Sequence, residues 1–187
     1  WSSDVCSSDL EEAQEKVSHS LEIDPDFDQT WTIQADLYAN RNMITDALEA
    51  YTRALEINPR QTDVWLRVGD IQRQQQNFEE AAEAYEQALE LRPRNVQVWR
   101  VLGSVYAQIG QPEKGIEALN RALELGPEKE DAWDTHRMLA ILHSQIGEPQ
   151  QAVDHAEMAL QNAPDGQQAN LEQLLAQLES AMSGESE

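Results

Sequence analysis

Three histidines in the last third of the chain, His136, His143 and His155, are the residues whose type and spacing most directly offer chemistry. His136 and His143 stand seven apart on one helical segment and His155 falls on the next, so three imidazoles can be imagined around one zinc ion. No paired carboxylates with suitable geometry accompany them. The better reading gives His143 to an aromatic packing position and leaves His136 and His155 exposed, so no metal is assigned. Acidic neighbours such as Glu79 and Glu80 are too common in this composition to mark acid–base catalysis. The sequence has no Gly-rich phosphate loop and no nucleophile motif, and so reads as non-catalytic, with no cofactor.

The sole cysteine, Cys6, lies in WSSDVCSSDL, residues 1–10, which differs in character from everything after Glu11. It has no basic n-region, apolar run or small-residue cleavage site, so it is not a secretory signal. Rich in Ser and Asp, with SSD occurring twice, it reads as non-helical and resembles a translated sequencing adapter joined to a truncated frame. The alternative is a disordered Ser/Asp-rich leader. On either reading residues 1–10 stand outside the fold, and on the first the native start is missing.

Charge sets the next limit. With 35 acidic against 13 basic residues the net charge is −22, which repels phosphate backbones and anionic lipid surfaces and excludes nucleic-acid binding. No apolar run approaches the ~20 residues that span a bilayer, so no membrane insertion is expected. A cytoplasmic location is the expectation, with targeting information lost if the start is missing.

The elements that position these residues are read from a repeat. Pro25, Pro59, Pro93 and Pro127 are separated by 34 residues each and Pro164 follows after 37, while Trp31, Trp65, Trp99 and Trp133 keep the 34-residue beat. Each unit predicts two helices. In the first, Trp65, Val68, Gly69 and Gln72, like Trp99, Leu102, Gly103 and Tyr106, form one stripe; in the second, Ala81, Tyr85, Ala88 and Leu89 do the same, echoed by Ala47, Tyr51, Ala54 and Leu55. Gly and Ala let two backbones approach while Trp and Tyr fill the space beside the crossing. Asn77 with Glu80 reads as an N-cap pair, Pro112 and Pro149 as first-turn prolines, and Gly110 and Gly147 as left-handed helix ends.

These residues resemble the tetratricopeptide repeat family, with its Trp, Leu, Gly and Tyr in the first helix, Ala, aromatic and Ala in the second, and a terminal Pro. The units are 28–61, 62–95, 96–129 and 130–166, the last with a short insertion near Gly126 to Thr135; Trp31, Tyr38, Tyr51, Trp65, Gly69, Tyr85, Trp99, Gly103 and Tyr106 are its packing residues. Gly115 and Leu119 depart from the pattern and are expected to weaken the third pair slightly. Residues 11–27 match only the second helix of a unit, 167–182 a capping helix and 183–187 a disordered acidic tail. The resemblance implies an all-α fold, an α-solenoid of stacked antiparallel helix pairs wound as a right-handed superhelix. It also implies a concave face, lined by the first helices, that binds a peptide or helix of a protein partner.

Helical geometry independently leaves Asp36, Asn40, Arg67, Asp70, Arg73, Gln74, Arg100, Ser104, Gln108 and Arg137 on the stripe opposite the packing residues. Arg67, Arg100 and Arg137 are read as anchors for carboxylates or carbonyls, although Asp70 with Arg73, and Asp134 with Arg137, stand three apart and can pair on their own helices. Second helices, with Glu79, Glu80, Glu83, Glu86 and Glu90, face outward and make an acidic convex side. Members of the family that clamp a C-terminal carboxylate use Lys and Asn where this chain has Thr32 and Asp36, or Leu66 and Asp70, so a chaperone-tail adaptor is not expected. The sequence therefore reads as a protein-interaction scaffold. The alternative is a detached recruiting or regulatory segment of a larger enzyme or membrane-associated machine, and self-association through an uncovered half-repeat is a third reading.

Overall fold

Runs rich in Ala, Leu, Glu and Gln, cut at intervals by Gly, Asn or Pro, favour helices joined by tight turns. A computed structural model describes residues 2–126 and 129–184, with side chains from 12 to 126 and from 132 to 184. Its helices are α1 (Ser2–Ile23), α2 (Asp28–Asn40), α3 (Ile44–Ile57), α4 (Thr62–Gln74), α5 (Phe78–Leu91), α6 (Val96–Ile109), α7 (Pro112–Glu124), α8 (Lys129–Gln145), α9 (Pro149–Asn162) and α10 (Asp165–Gly184). All described regular structure is helical, and α2–α3, α4–α5, α6–α7 and α8–α9 pack as successive pairs. Residue 1, the proline beat at Pro127, and residues 185–187 of the expected tail lie outside the described residues.

The leader departs from expectation. α1 runs from Ser2 without a break, so most of residues 1–10 is helical rather than irregular. Extending an existing helix costs far less than nucleating one, and no Pro or Gly in this stretch stops propagation from the segment around the buried Val17. At the other end, α10 includes Ser183 and Gly184, which were expected in the tail.

Each pair is built on a crossing of small residues. Ala35 against Ala47 and Ala140 against Ala152 are fully buried. A Cβ on Gly69 would lie 2.8 Å from the Tyr85 ring, and one on Gly103 only 2.6 Å from Leu119 Cγ. Gly115 brings its carbonyl oxygen 3.1 Å from that same Gly103 Cβ position, so the third pair closes glycine to glycine. Leu119 is fully buried there, seated against Gly103.

One stripe of each pair remains open and the next unit covers it. Val64, Trp65, Val68 and Ile71 of α4 pack on Ala50, Tyr51 and Leu55. α6 repeats this on Ala82, Tyr85 and Leu89, and Leu139 and Leu142 of α8 join Leu119. Leu174, Leu175 and Leu178 of α10 close the last pair against Ala152, Val153 and Ala156.

The tryptophans do more than fill space. Trp31, Trp65 and Trp99 are only partly buried, and each indole Nε1–H donates to the carbonyl of the proline six residues earlier, Pro25, Pro59 and Pro93, at 2.8, 2.9 and 2.9 Å. Each clasp ties the start of one unit to the end of its predecessor. The insertion in the fourth unit becomes helix: α8 has 17 residues where α2 and α4 have 13, the extra turn lying at its beginning.

Turns follow local chemistry, with one correction. Pro112 and Pro149 occupy first-turn positions, and Gly110 and Gly147 are left-handed at φ 75° and 76°. Asn77, expected to cap α5, makes no side-chain cap; its Nδ2 donates to Gln72 Oε1 at 2.8 Å instead. Asn95 caps α6, accepting from the Val98 N–H at 3.3 Å. Asn42 and Gln76 take the left-handed place of the later glycines, at φ 59° and 63°.

Two outcomes are expected in urea melts. Gln76→Gly relieves the left-handed strain of a residue with a Cβ and stabilises the chain by about 1 kcal/mol; no gain, or a loss, would deny that strain. Trp65→Phe keeps the ring packing but removes the clasp, and should cost about 1 kcal/mol.

Candidate functional site

Packing uses one stripe of α2, α4, α6 and α8 and leaves the opposite one to solvent. Ile33, Arg67, Val101 and Met138 share a register position on these four helices. The stripe is not a row of independent charges. The Tyr51 hydroxyl donates to the Asp36 carboxylate, and Arg67 Nη1 reaches across to the same carboxylate at 3.1 Å. One unit on, the Tyr85 hydroxyl donates to Asp70 Oδ1 at 2.6 Å, while Arg73 Nε donates to the Tyr85 oxygen at 3.3 Å. Burial, and then the bonded carboxylate, hold both phenols protonated well above the ordinary tyrosine range. The second-helix tyrosines thus fix aspartates on the first helices.

A second network joins the last two units. Asp134 accepts from Arg137 Nη2 at 2.7 Å and Nε at 3.0 Å, and Arg100 Nη2 reaches its other oxygen at 3.3 Å. Arg100 is largely covered, with its side chain 16% exposed, whereas Arg67 is 53% exposed. All three expected anchors therefore already hold a carboxylate of this chain. The Asp70–Arg73 pair forms as well, at 3.7 Å, with both side chains exposed. Asn40, Gln74 and Gln108 are exposed and Ser104 is partly buried.

Between α6 and α8 the stripe deepens into a cleft of about 420 Å³. Val101, Met138, Ile141 and Leu142 give it apolar walls, and Gln97, Gln108 and Gln145 stand with Arg100 and Arg137 as polar groups around them. Of the residues expected on this surface, the cleft gathers Arg100, Ser104, Gln108 and Arg137, while Asp36, Asn40, Arg67, Asp70, Arg73 and Gln74 lie elsewhere along the stripe. The apolar walls were missed. Their signal was available: Val101, Met138 and Ile141 are apolar at positions where a merely solvated face would be polar.

The acidic pair Glu79 and Glu80 sits exposed in the first turn of α5, where carboxylates complement the helix dipole. The histidines differ from expectation. His136 and His155 are partly buried, not exposed, because α8 and α9 bring them face to face, with ring centroids 5.2 Å apart and their Nδ1 atoms at 3.0 Å. His143 stacks on the other side of His155 at 5.3 Å, and its Nδ1 lies 2.6 Å from Glu148 Oε2. Among the described residues no group of three or more His, Cys, Asp or Glu side chains is placed to hold a metal ion.

Burial, then the charges of His136 and His143, pull His155 down to about 4 against the opposing effect of Asp154. Burial also lowers His136. A histidine depressed in the folded state favours folding fully above its unfolded value near 6.5, and that contribution is lost as pH falls toward 4. Because the ring is only partly buried, solvent screening reduces the effect to about 1–2 kcal/mol. Between pH 7 and 4.5 the wild type should therefore lose more stability than His155→Phe, and parallel melting curves would contradict it.

Comparison with known proteins agrees with this architecture. No helix among the described residues is long and apolar enough to cross a membrane. YrrB, described as a TPR protein with an unusual peptide-binding site, superposes with a TM-score of 0.73 at 19% identity, covering 91% of this chain and 85% of that one. MamA from Desulfovibrio magneticus RS-1 gives 0.66 at 20% identity, with 82% and 85% covered. PilF of Pseudomonas aeruginosa gives 0.64 at 22%, with 97% and 81% covered. Among curated proteins none matches the chain in sequence. These likenesses show the fold, a tetratricopeptide solenoid. The sequence itself matches, over residues 8–181, the family described as the cilia and flagella-associated protein 70 C-terminal domain, and the chain belongs to that family.

Proposed function

We propose that the chain is a ciliary or flagellar interaction module whose first-helix groove holds a peptide or helix of a protein partner. The observation that carries this reading is the α6–α8 cleft: apolar walls ringed by glutamine and arginine suit a segment that presents an apolar side chain and hydrogen-bonding backbone together. The groove's aspartates hold its arginines in place, so its shape is fixed before a partner arrives and less ordering entropy is lost on binding. Arg67, the more exposed arginine, is free to exchange Asp36 for a partner carboxylate. The family's description as a C-terminal domain supports a second reading, in which this array is the recruiting segment of a larger ciliary protein.

A photo-crosslinking amino acid at Gln108, used in an axonemal extract, tests the groove. One discrete adduct is expected, and Ile141→Asp should weaken its formation at least about tenfold with helicity unchanged. An adduct that persists undiminished in the folded Ile141→Asp chain would refute the groove assignment.

A further inference from the structure

The outer side of the solenoid carries a second groove, between α5 and α7 and floored by α6, of about 450 Å³. It shares no residue with the α6–α8 cleft. Its floor is apolar: Leu89, Trp99, Leu102 and Tyr106. Its rim is anionic, with Glu86, Glu90 and Glu117 exposed around it. One cation of the chain already sits there. Lys114 Nζ lies 5.2 Å from the centroid of the Tyr106 ring, whose hydroxyl donates to Glu86.

We propose that this groove is a docking site for a basic segment of a partner protein, taking an arginine or lysine side chain flanked by apolar residues. The aliphatic part of such a side chain matches the Trp99–Leu102 floor, and its charge matches the glutamates and the face of Tyr106. Lys114 shows that the ring accepts an ammonium group at this place. The chain's net charge of −22 complements a basic partner and draws it in from a distance. Nor does every junction carry this feature. At the preceding junction the positions of Glu86, Tyr106 and Lys114 are held by Thr52, Gln72 and Glu80, which offer neither the aromatic face nor the resident cation.

The test is a titration of the chain with a labelled octapeptide alternating Leu and Arg, at physiological ionic strength, followed by fluorescence anisotropy and by NMR. Expected are saturable binding and shifts concentrated at the Trp99 indole N–H, Tyr106 and Lys114. Replacing Glu86, Glu90 and Glu117 together by Gln should weaken binding about tenfold, whereas the charge-matched triple change of Glu79, Glu80 and Glu83 to Gln leaves it near the wild-type value. Lys114→Met, which removes the competing cation, should tighten it by about threefold. Equal losses from the two triple variants, or an unmoved Trp99 indole, would overturn the site. So would loss of binding in the Ile141→Asp chain, which would place the peptide in the other cleft and leave that proposal standing.

Discussion

Close approach of two helix backbones within each pair is the constraint on which the rest of the molecule depends. It is met by Ala35 and Ala47, by Gly69 beneath the Tyr85 ring, by Gly103 and Gly115 carbonyl to backbone, and by Ala140 and Ala152. A side chain even one methyl larger at Gly103 would have to displace Leu119, which is fully buried with nowhere to go.

Because the crossing consumes one stripe and the next unit covers another, two surfaces of the chain stay open to solvent. On one side the first helices offer a cross-linked polar stripe with an apolar cleft; on the other, acidic second helices flank a groove whose aromatic floor comes from α6. The tyrosines connect the two regions. Tyr51 and Tyr85 are core residues of the second helices, yet their hydroxyls hold Asp36 and Asp70 on the first helices. Their rings contribute apolar burial, and each hydroxyl finds the partner that burial requires.

How much of this could be read from the sequence depended on whether a feature repeats. The Pro and Trp beat and the Gly, Ala and Tyr stripes recur at 34 residues, so fold and helix pairing were legible from them. The Asp36–Arg67 pair spans 31 residues and does not follow the beat; it depends on how two units stack. The histidine stack was hidden for a similar reason, since the α8–α9 crossing, not periodicity, brings His136 onto His155. Asn77 had a fitting residue type for a cap, but its amide had a better partner in Gln72. The cleft walls are legible in principle, as apolar residues where a solvated stripe has none, but they are interspersed with the arginines and glutamines of the same stripe and so form no periodic signal of their own.

The Trp–Pro clasp has a mechanical consequence. Three times among the described residues an indole N–H bridges the joint between units, alongside the covalent backbone and the apolar contact. Tension applied at the ends is borne equally by every joint, so the weakest clasp and interface would give way first while the others hold. The array would then lengthen in unit-sized steps rather than stretch uniformly.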